Sequence, residues 1–300
     1  MKKLFTRCSL AFGALFAAVF SLHAAAADIT VGGKNFTEQL LLSSMTSQYL
    51  EAKGYSVDLK NGLGSVVMRQ ALVNGQLDVA WEYTGTALIV YDKIKTKLDR
   101  DATYQTVKRL DAKRGLIWLN PADLNDTYAF AMQRKVAEAD GIDSVSDLVK
   151  KLKTDPKVKN YVFASDMEFV GRPDGLRPME KLYGFRFKRS HVRQMDPGLV
   201  YTSLRDGQVQ IGLVYTTDGR NKGFDFKVLK DDKHFFPAYA ATPVVREATL
   251  KKYPKLAEQL NALSAKLDDK VMTKLNAEVD IDKQPVNKVA ADFLRAQGLI

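Results

Sequence analysis

Two stretches of this chain, more than a hundred residues apart, are versions of one another, and they limit the fold more than any other feature of the sequence. Residues 71–84, ALVNGQLDVAWEYT, align without gaps on residues 203–216, SLRDGQVQIGLVYT. Leu72 matches Leu204, Gly75-Gln76 matches Gly207-Gln208, Val79 matches Ile211, and Tyr83-Thr84 matches Tyr215-Thr216. Each copy reads as the end of a helix, a glycine stop, an apolar strand, and a Tyr-Thr pair where the strand gives way to a loop. A weaker echo pairs YAFAM, from Tyr128, with YAATP, from Tyr239. A chain that writes the same unit twice is expected to fold as two lobes of similar construction.

The rest of the sequence supports α/β layers. DITVGG leads into TEQLLLSSMTSQYLEAKG, with Thr37 read as the helix cap and Gly54 as its stop; YSVDLK, SVVMRQALVNG and the strand ending at Tyr83 follow. SVSDLVKKLKT, YVFAS, RPMEKLYG, LVYTSLRDG and VQIGLVYTT continue the alternation, and the last sixty residues read mostly as helix. Strands alternating with helices imply largely parallel sheets. The echoes at Tyr128 and Tyr239 mark the two strands that cross between lobes, so the first lobe is expected at residues 28–130 plus 239–300 and the second at 131–238. Ligands of such folds bind between lobes, at the C-terminal ends of the strands.

Residues 1–27 are read as a secretory signal peptide and excluded from the fold. Lys2, Lys3 and Arg7 form a basic start, LAFGALFAAVFSL is an apolar run too short for a comfortable span, and AAA ends at Ala27 as a cleavage site. The protein is therefore expected to be exported to the periplasm. Cys8 is the one cysteine, so the remaining chain offers no disulfide, thiol nucleophile or thiolate metal site. Without the three basic residues of the leader the formal charge falls from +10 to +7. Lys and Arg are interleaved with acids in KRLDAKRG and LKKYPKLAEQL, the pattern of solvated helix faces and not of a nucleic-acid surface.

Four tyrosines converge in this reading: Tyr83, Tyr128, Tyr215 and Tyr239. Electron-rich ring faces suit a cation that cannot donate hydrogen bonds, such as a quaternary ammonium. At roughly 1–2 kcal/mol per desolvated ring, four rings supply most of the ~8 kcal/mol of a micromolar ligand. A polar end is also legible. Lys34 follows Gly32-Gly33, where the backbone is free to approach a ligand; Thr86 lies three residues past Tyr83, and Arg172 sits in FVGRPDG after a strand. An arginine grips a carboxylate bidentately, with a lysine and a hydroxyl taking its remaining lone pairs.

The sequence resembles the extracytoplasmic binding proteins of ABC importers for glycine betaine, choline, carnitine and related osmoprotectants. GGKNFTEQ at 32–39, EYTGT at 82–86, NDTYAFAM at 125–132, RPDGL at 172–176, YTTDGR at 215–220 and FFPAYAATPVV at 235–245 carry the resemblance. It implies a two-lobed type II periplasmic binding fold, a tyrosine box on Tyr83, Tyr128, Tyr215 and Tyr239, and carboxylate contacts on Lys34, Thr86 and Arg172. It also implies a membrane permease as partner, with the binding protein itself expected to be a monomer. Tyr201 reads equally as a cleft residue or as packing of its helix.

Other classes fit less well. No G-x-S-x-G, H-E-x-x-H or P-loop lysine motif occurs, and His191 and His234 lie in unrelated segments. No catalytic residue, metal or cofactor is expected. A binding protein for amino acids or polyamines is the nearer rival; ammonium donors of that kind favour carboxylates beside the rings, and Glu82 and Asp166 are the candidates. Lys34 and Arg172 favour a zwitterion over choline, because a cation gains little from two more cations nearby.

Overall fold

The computed structural model describes residues 28–300; the expected leader, with Cys8, lies outside the described residues. Its strands are β1 (Ile29–Lys34), β2 (Val57–Leu63), β3 (Val79–Tyr83), β4 (Leu116–Trp118), β5 (Tyr128–Gln133), β6 (Phe163–Ser165), β7 (Val192–Gln194), β8 (Ile211–Tyr215), β9 (Phe226–Val228) and β10 (Ala241–Arg246). They form two five-stranded sheets, ordered β2-β1-β3-β10-β4 and β7-β6-β8-β5-β9. The two orders are the same plan. β3 and β8, the strands of the two repeat copies, hold the same third position, and β10 and β5, the strands of the weaker echo, hold the fourth.

The repeat is visible locally as well. Helix α1 (Thr37–Ala52) follows β1, and α2 (Ser65–Val73) precedes β3 as the helix Pro197–Arg205 precedes β8. Gly75 and Gly207 stop the two repeat helices at φ 77° and 72°, the left-handed conformation that glycine adopts without a Cβ penalty. Thr37 is the first helical residue and not the cap: Phe36 is in that place and gives no side-chain hydrogen bond.

The expectation of largely parallel sheets needs correction. β1 runs parallel to β2 and β3, and β6 parallel to β7 and β8, but β10 is antiparallel to β3 and β4, and β5 to β8 and β9. The reason is the crossing itself. A strand that arrives from the other sheet enters at the C-terminal end of its neighbours, so it must run against them. Two of the three-residue strands, β4 and β7 at sheet margins, were not among the strands read from the sequence.

Each half has its own core. Trp81 of β3 is buried with Leu41, Leu42 and Met45 of α1 and donates its indole N–H to Thr46 Oγ1 at 2.9 Å. In the second half Phe163 and Phe187 stack at 5.1 Å beside Phe130. Asp111 receives Arg69 of α2 at 2.7 Å and the Trp118 indole at 2.7 Å, which ties α2 to β4 through a buried ion pair.

The stretch WEYTGT shows why β3 ends as it does. Past Tyr83 the chain turns through a short helix, Thr84–Thr86, into a wider π-helical turn, Ala87–Tyr91, a form found often at functional sites. Gly85 is demanded by close approach: a Cβ there would lie 2.7 Å from the Ala238 carbonyl and 2.8 Å from the Tyr239 ring. Gly85→Ala should cost roughly 1–3 kcal/mol of overpacking and displace Tyr239. Thermal unfolding checks this against Gly171→Ala, whose new Cβ meets nothing within 4 Å; equal melting temperatures for the two variants would contradict it.

Candidate functional site

A cavity of about 420 Å³ opens between the two halves, within the size range of small-molecule sites. All seven residues singled out from the sequence line it: Tyr83, Tyr128, Tyr215 and Tyr239, with Lys34, Thr86 and Arg172. The strand register brings the rings together. In the ladder between the second-sheet strands Tyr128 stands opposite Tyr215, and in the first sheet Ala241, two residues past Tyr239, stands opposite Tyr83. The Tyr128 ring lies 5.5 Å from Tyr215 and 5.7 Å, edge-on, from Tyr239.

Three of the four hydroxyls are tied to carboxylates. Tyr83 donates to Glu38 Oε1 at 2.7 Å, Tyr239 to Asp174 Oδ2 at 2.7 Å, and Tyr215 approaches Asp166 Oδ2 at 3.4 Å. Burial raises the pKa of all four phenols, so they stay neutral. A tyrosine whose hydroxyl is held from behind presents its ring face at a fixed angle.

The cations are buried and already matched. Arg172 donates Nε and Nη2 to Asp174 at 2.7 and 2.6 Å, and Nη2 also to Thr86 Oγ1 at 3.1 Å. Lys34 Nζ pairs with Glu82 at 3.0 Å and lies 5.1 Å from the centre of the Tyr83 ring. Three cavity carboxylates have no such match: among the described residues Asp126, Asp166 and Asp196 form no salt bridge, and burial raises the pKa of Asp126 and Asp166. Burial favours the neutral form of those two, and a positively charged ligand beside them would favour the ionised one. Glycines 32 and 33, expected to admit a ligand, do something else. Their Cβ positions fall 2.5 Å from Leu77 and 2.3 Å from Asn61, so they serve close packing inside the first half.

Residues 27–296 match the OpuAC family, described as the substrate binding domain of ABC-type glycine betaine transport system. A Glycine-betaine-binding protein of Pseudomonas aeruginosa is 50% identical over 303 residues, covering 100% of this chain and 96% of the relative. The chain belongs to the OpuAC family. Glycine betaine-binding protein YehZ of Escherichia coli is 33% identical over 293 residues, covering 95% of each chain. Among solved structures, one described as a crystal structure of glycine betaine/carnitine/choline ABC transporter superposes with TM-score 0.71 at 30% identity, covering 90% of this chain and 99% of that one. The two sheets are accordingly the two lobes of a binding-protein fold, with the cavity in the cleft between them.

Several cavity residues of this OpuAC-family chain were not singled out from the sequence. Phe36 stacks on Tyr215 at 4.9 Å and lies 6.2 Å from Tyr83, a fifth ring between two of the four. Asp126 precedes Tyr128 by two residues, the spacing that puts both on one side of extended chain; that parity was the available signal. Tyr201 does not line the cavity. It is buried behind Tyr215, accepting that residue's backbone N–H at 2.8 Å, with the Arg220 guanidinium 4.0 Å from its ring centre.

Glu38, beneath the rings, joins the lobes: besides the Tyr83 hydroxyl it accepts that of Thr217 at 2.7 Å. Burial pushes its carboxyl from the ordinary 4.5 up to about 7, against the pull of those two hydrogen bonds. Between pH 4.5 and 7 the folded protein thus keeps a proton that the unfolded chain has released, so this group's contribution to stability falls as pH rises through that window. Glu38→Gln should flatten that part of the profile. Denaturant unfolding across the window measures it, and parallel profiles for wild type and variant would exclude it.

Proposed function

We propose that this protein captures a quaternary-ammonium osmoprotectant, glycine betaine foremost, outside the cytoplasm and delivers it to the permease of an ABC importer. The observation that carries the reading is the convergence of Tyr83, Tyr128, Tyr215 and Tyr239 on the lining of one cavity, with three hydroxyls anchored. A trimethylammonium group spreads its charge under methyls, and ring faces offer it both electrostatic attraction and apolar contact. The names of the Pseudomonas aeruginosa and Escherichia coli relatives support glycine betaine; the solved structure named for glycine betaine, carnitine and choline supports the wider class.

Lys34, Thr86 and Arg172 are the proposed hold on a ligand carboxylate. Because Glu82 and Asp174 already balance the two cations, the carboxylate gains directed hydrogen bonds more than net charge. Choline, which lacks that group, keeps the rings and loses only those bonds. The lobes are taken as residues 28–130 plus 239–300 and residues 131–238, with β5 and β10 as the crossings about which they close. The protein works as a monomer after removal of residues 1–27, holding its ligand without transforming it.

Isothermal titration of ligand-free protein with glycine betaine, carnitine and choline tests the reading. Tyr128→Ala should weaken every one of the three by roughly 5- to 30-fold, the worth of one desolvated ring. Arg172→Ala should weaken glycine betaine and carnitine far more than choline. Heat with spermidine or an amino acid, and none with the three amines, would replace this reading with the ammonium-donor alternative that Asp126 and Asp166 favour.

A further inference from the structure

Helix α2 begins without a cap of its own. Its N-cap is Gly64, which has no side chain to offer, and its first turn holds no acidic residue. The missing acceptor comes from the opposite lobe: Glu168 Oε1 receives the backbone N–H of Ser65 at 2.7 Å. Ser65 follows β2 in the first lobe, whereas Glu168 is on the helix Met167–Gly171 that follows β6 in the second. The glycine makes room for this approach, since even a bare Cβ at Gly64 would stand 3.1 Å from the same oxygen. A carboxylate at a helix N-terminus satisfies an orphan donor and complements the positive end of the helix dipole.

Both ends of the contact are connected to the proposed ligand site. The Tyr91 hydroxyl is within hydrogen-bond distance of the Ser65 carbonyl, 3.0 Å, and of Glu82, 3.1 Å, the counter-ion of Lys34. On the other side Glu168 Oε2 lies 4.0 Å from Arg172 Nη1, and Arg172 reaches Thr86 across the cleft. The Glu168 side chain is 41% exposed even here, so opening the cleft returns it to water at little cost while stripping α2 of its cap.

We propose that Glu168 is a closing latch, a carboxylate that caps α2 only when the lobes meet and so sets how long a captured ligand is held. The ligand side of this rests on the binding reading above; the latch itself is a property of the two lobes. Glu168 and Ser65 both line the ligand cavity, but Glu168 Oε1 is taken up by the Ser65 N–H; because Glu168 acts through the closing equilibrium, its removal speeds release of every ligand by one common factor.

Stopped-flow release kinetics of glycine betaine and choline test this in Glu168→Ala and Glu168→Gln. Glu168→Ala should raise the dissociation rate roughly 3- to 30-fold, the worth of a helix cap, equally for both ligands and without slowing association. Glu168→Gln, which keeps an acceptor oxygen and loses the charge, should fall between. The melting temperature of the ligand-free protein should not move. Independently, spin labels at Val73→Cys and Leu182→Cys, exposed positions of opposite lobes, should report a smaller closed fraction in Glu168→Ala; the protein without residues 1–27 carries no other cysteine. Unchanged release with an unchanged closed fraction overturns the latch. Faster release of either or both ligands with an unchanged closed fraction makes Glu168 a ligand contact instead, and an equal loss of melting temperature with and without ligand makes the contact merely structural. If none of the amines binds the wild type, the functional reading fails and the label distances decide alone: equal closed fractions overturn the latch.

Discussion

The pairing of Tyr128 with Tyr215 across the β5–β8 ladder is the contact on which the site depends. A strand that leaves one lobe and enters the other at the cleft must start where its neighbour ends, and a tyrosine at that start necessarily faces a tyrosine at that end. The same rule in the first lobe sets Ala241, and with it Tyr239, beside Tyr83. One topological requirement, two crossings, thus produces four rings at one place. The cost is local and is met by glycine: Gly85 lets Tyr239 lie against the turn after β3.

Around these rings the protein keeps its charges in short, closed sets. Glu82 with Lys34, Asp174 with Arg172, and Asp111 with Arg69 are all buried pairs, and a buried pair loses most of its Coulomb gain to desolvation. Their value is positional. Asp174 holds Arg172 through two nitrogens and Tyr239 through its hydroxyl, so one carboxylate orients both a cation and a ring. Such a site is organised before the ligand arrives, which lowers the ordering cost of binding.

What the sequence disclosed follows from how far each signal reaches. The repeat at Tyr83 and Tyr215 was legible because a glycine stop, a strand and a Tyr-Thr end are local patterns. Antiparallel crossings were not, since alternation along the chain says nothing of the direction in which a returning strand enters. Lys34 and Glu82 are 48 residues apart, and Arg172 and Thr86 are 86 apart; no spacing rule joins them. Arg172 and Asp174 are a different case. They lie two residues apart in RPDGL, and the pairing of that arginine with its own neighbour was open to a sequence reading. Phe36 was missed because an aromatic next to a helix start reads as a staple against the core, and only the fold turns it toward Tyr215.

The contacts between the lobes divide by depth. Glu38 with Thr217 lies beneath the rings and is buried, whereas Glu168, which meets the buried Ser65 on the cavity wall, is 41% exposed. Arg172 with Thr86 also lines the cavity, and both side chains are buried. A ligand shifts an opening equilibrium only by the difference in its affinity for the two states, and the groups placed to supply that difference are the ring faces and the Arg172 fork that line the cavity. On the latch proposal the Glu38–Thr217 floor stays joined while the Glu168–Ser65 rim opens, the hydrogen bonds of the floor being the more deeply buried. Rim contacts must be remade at each closure, and an exposed carboxylate on a bare helix end is suited to being remade. Water solvates it when the lobes part, and a single backbone N–H recovers it when they meet.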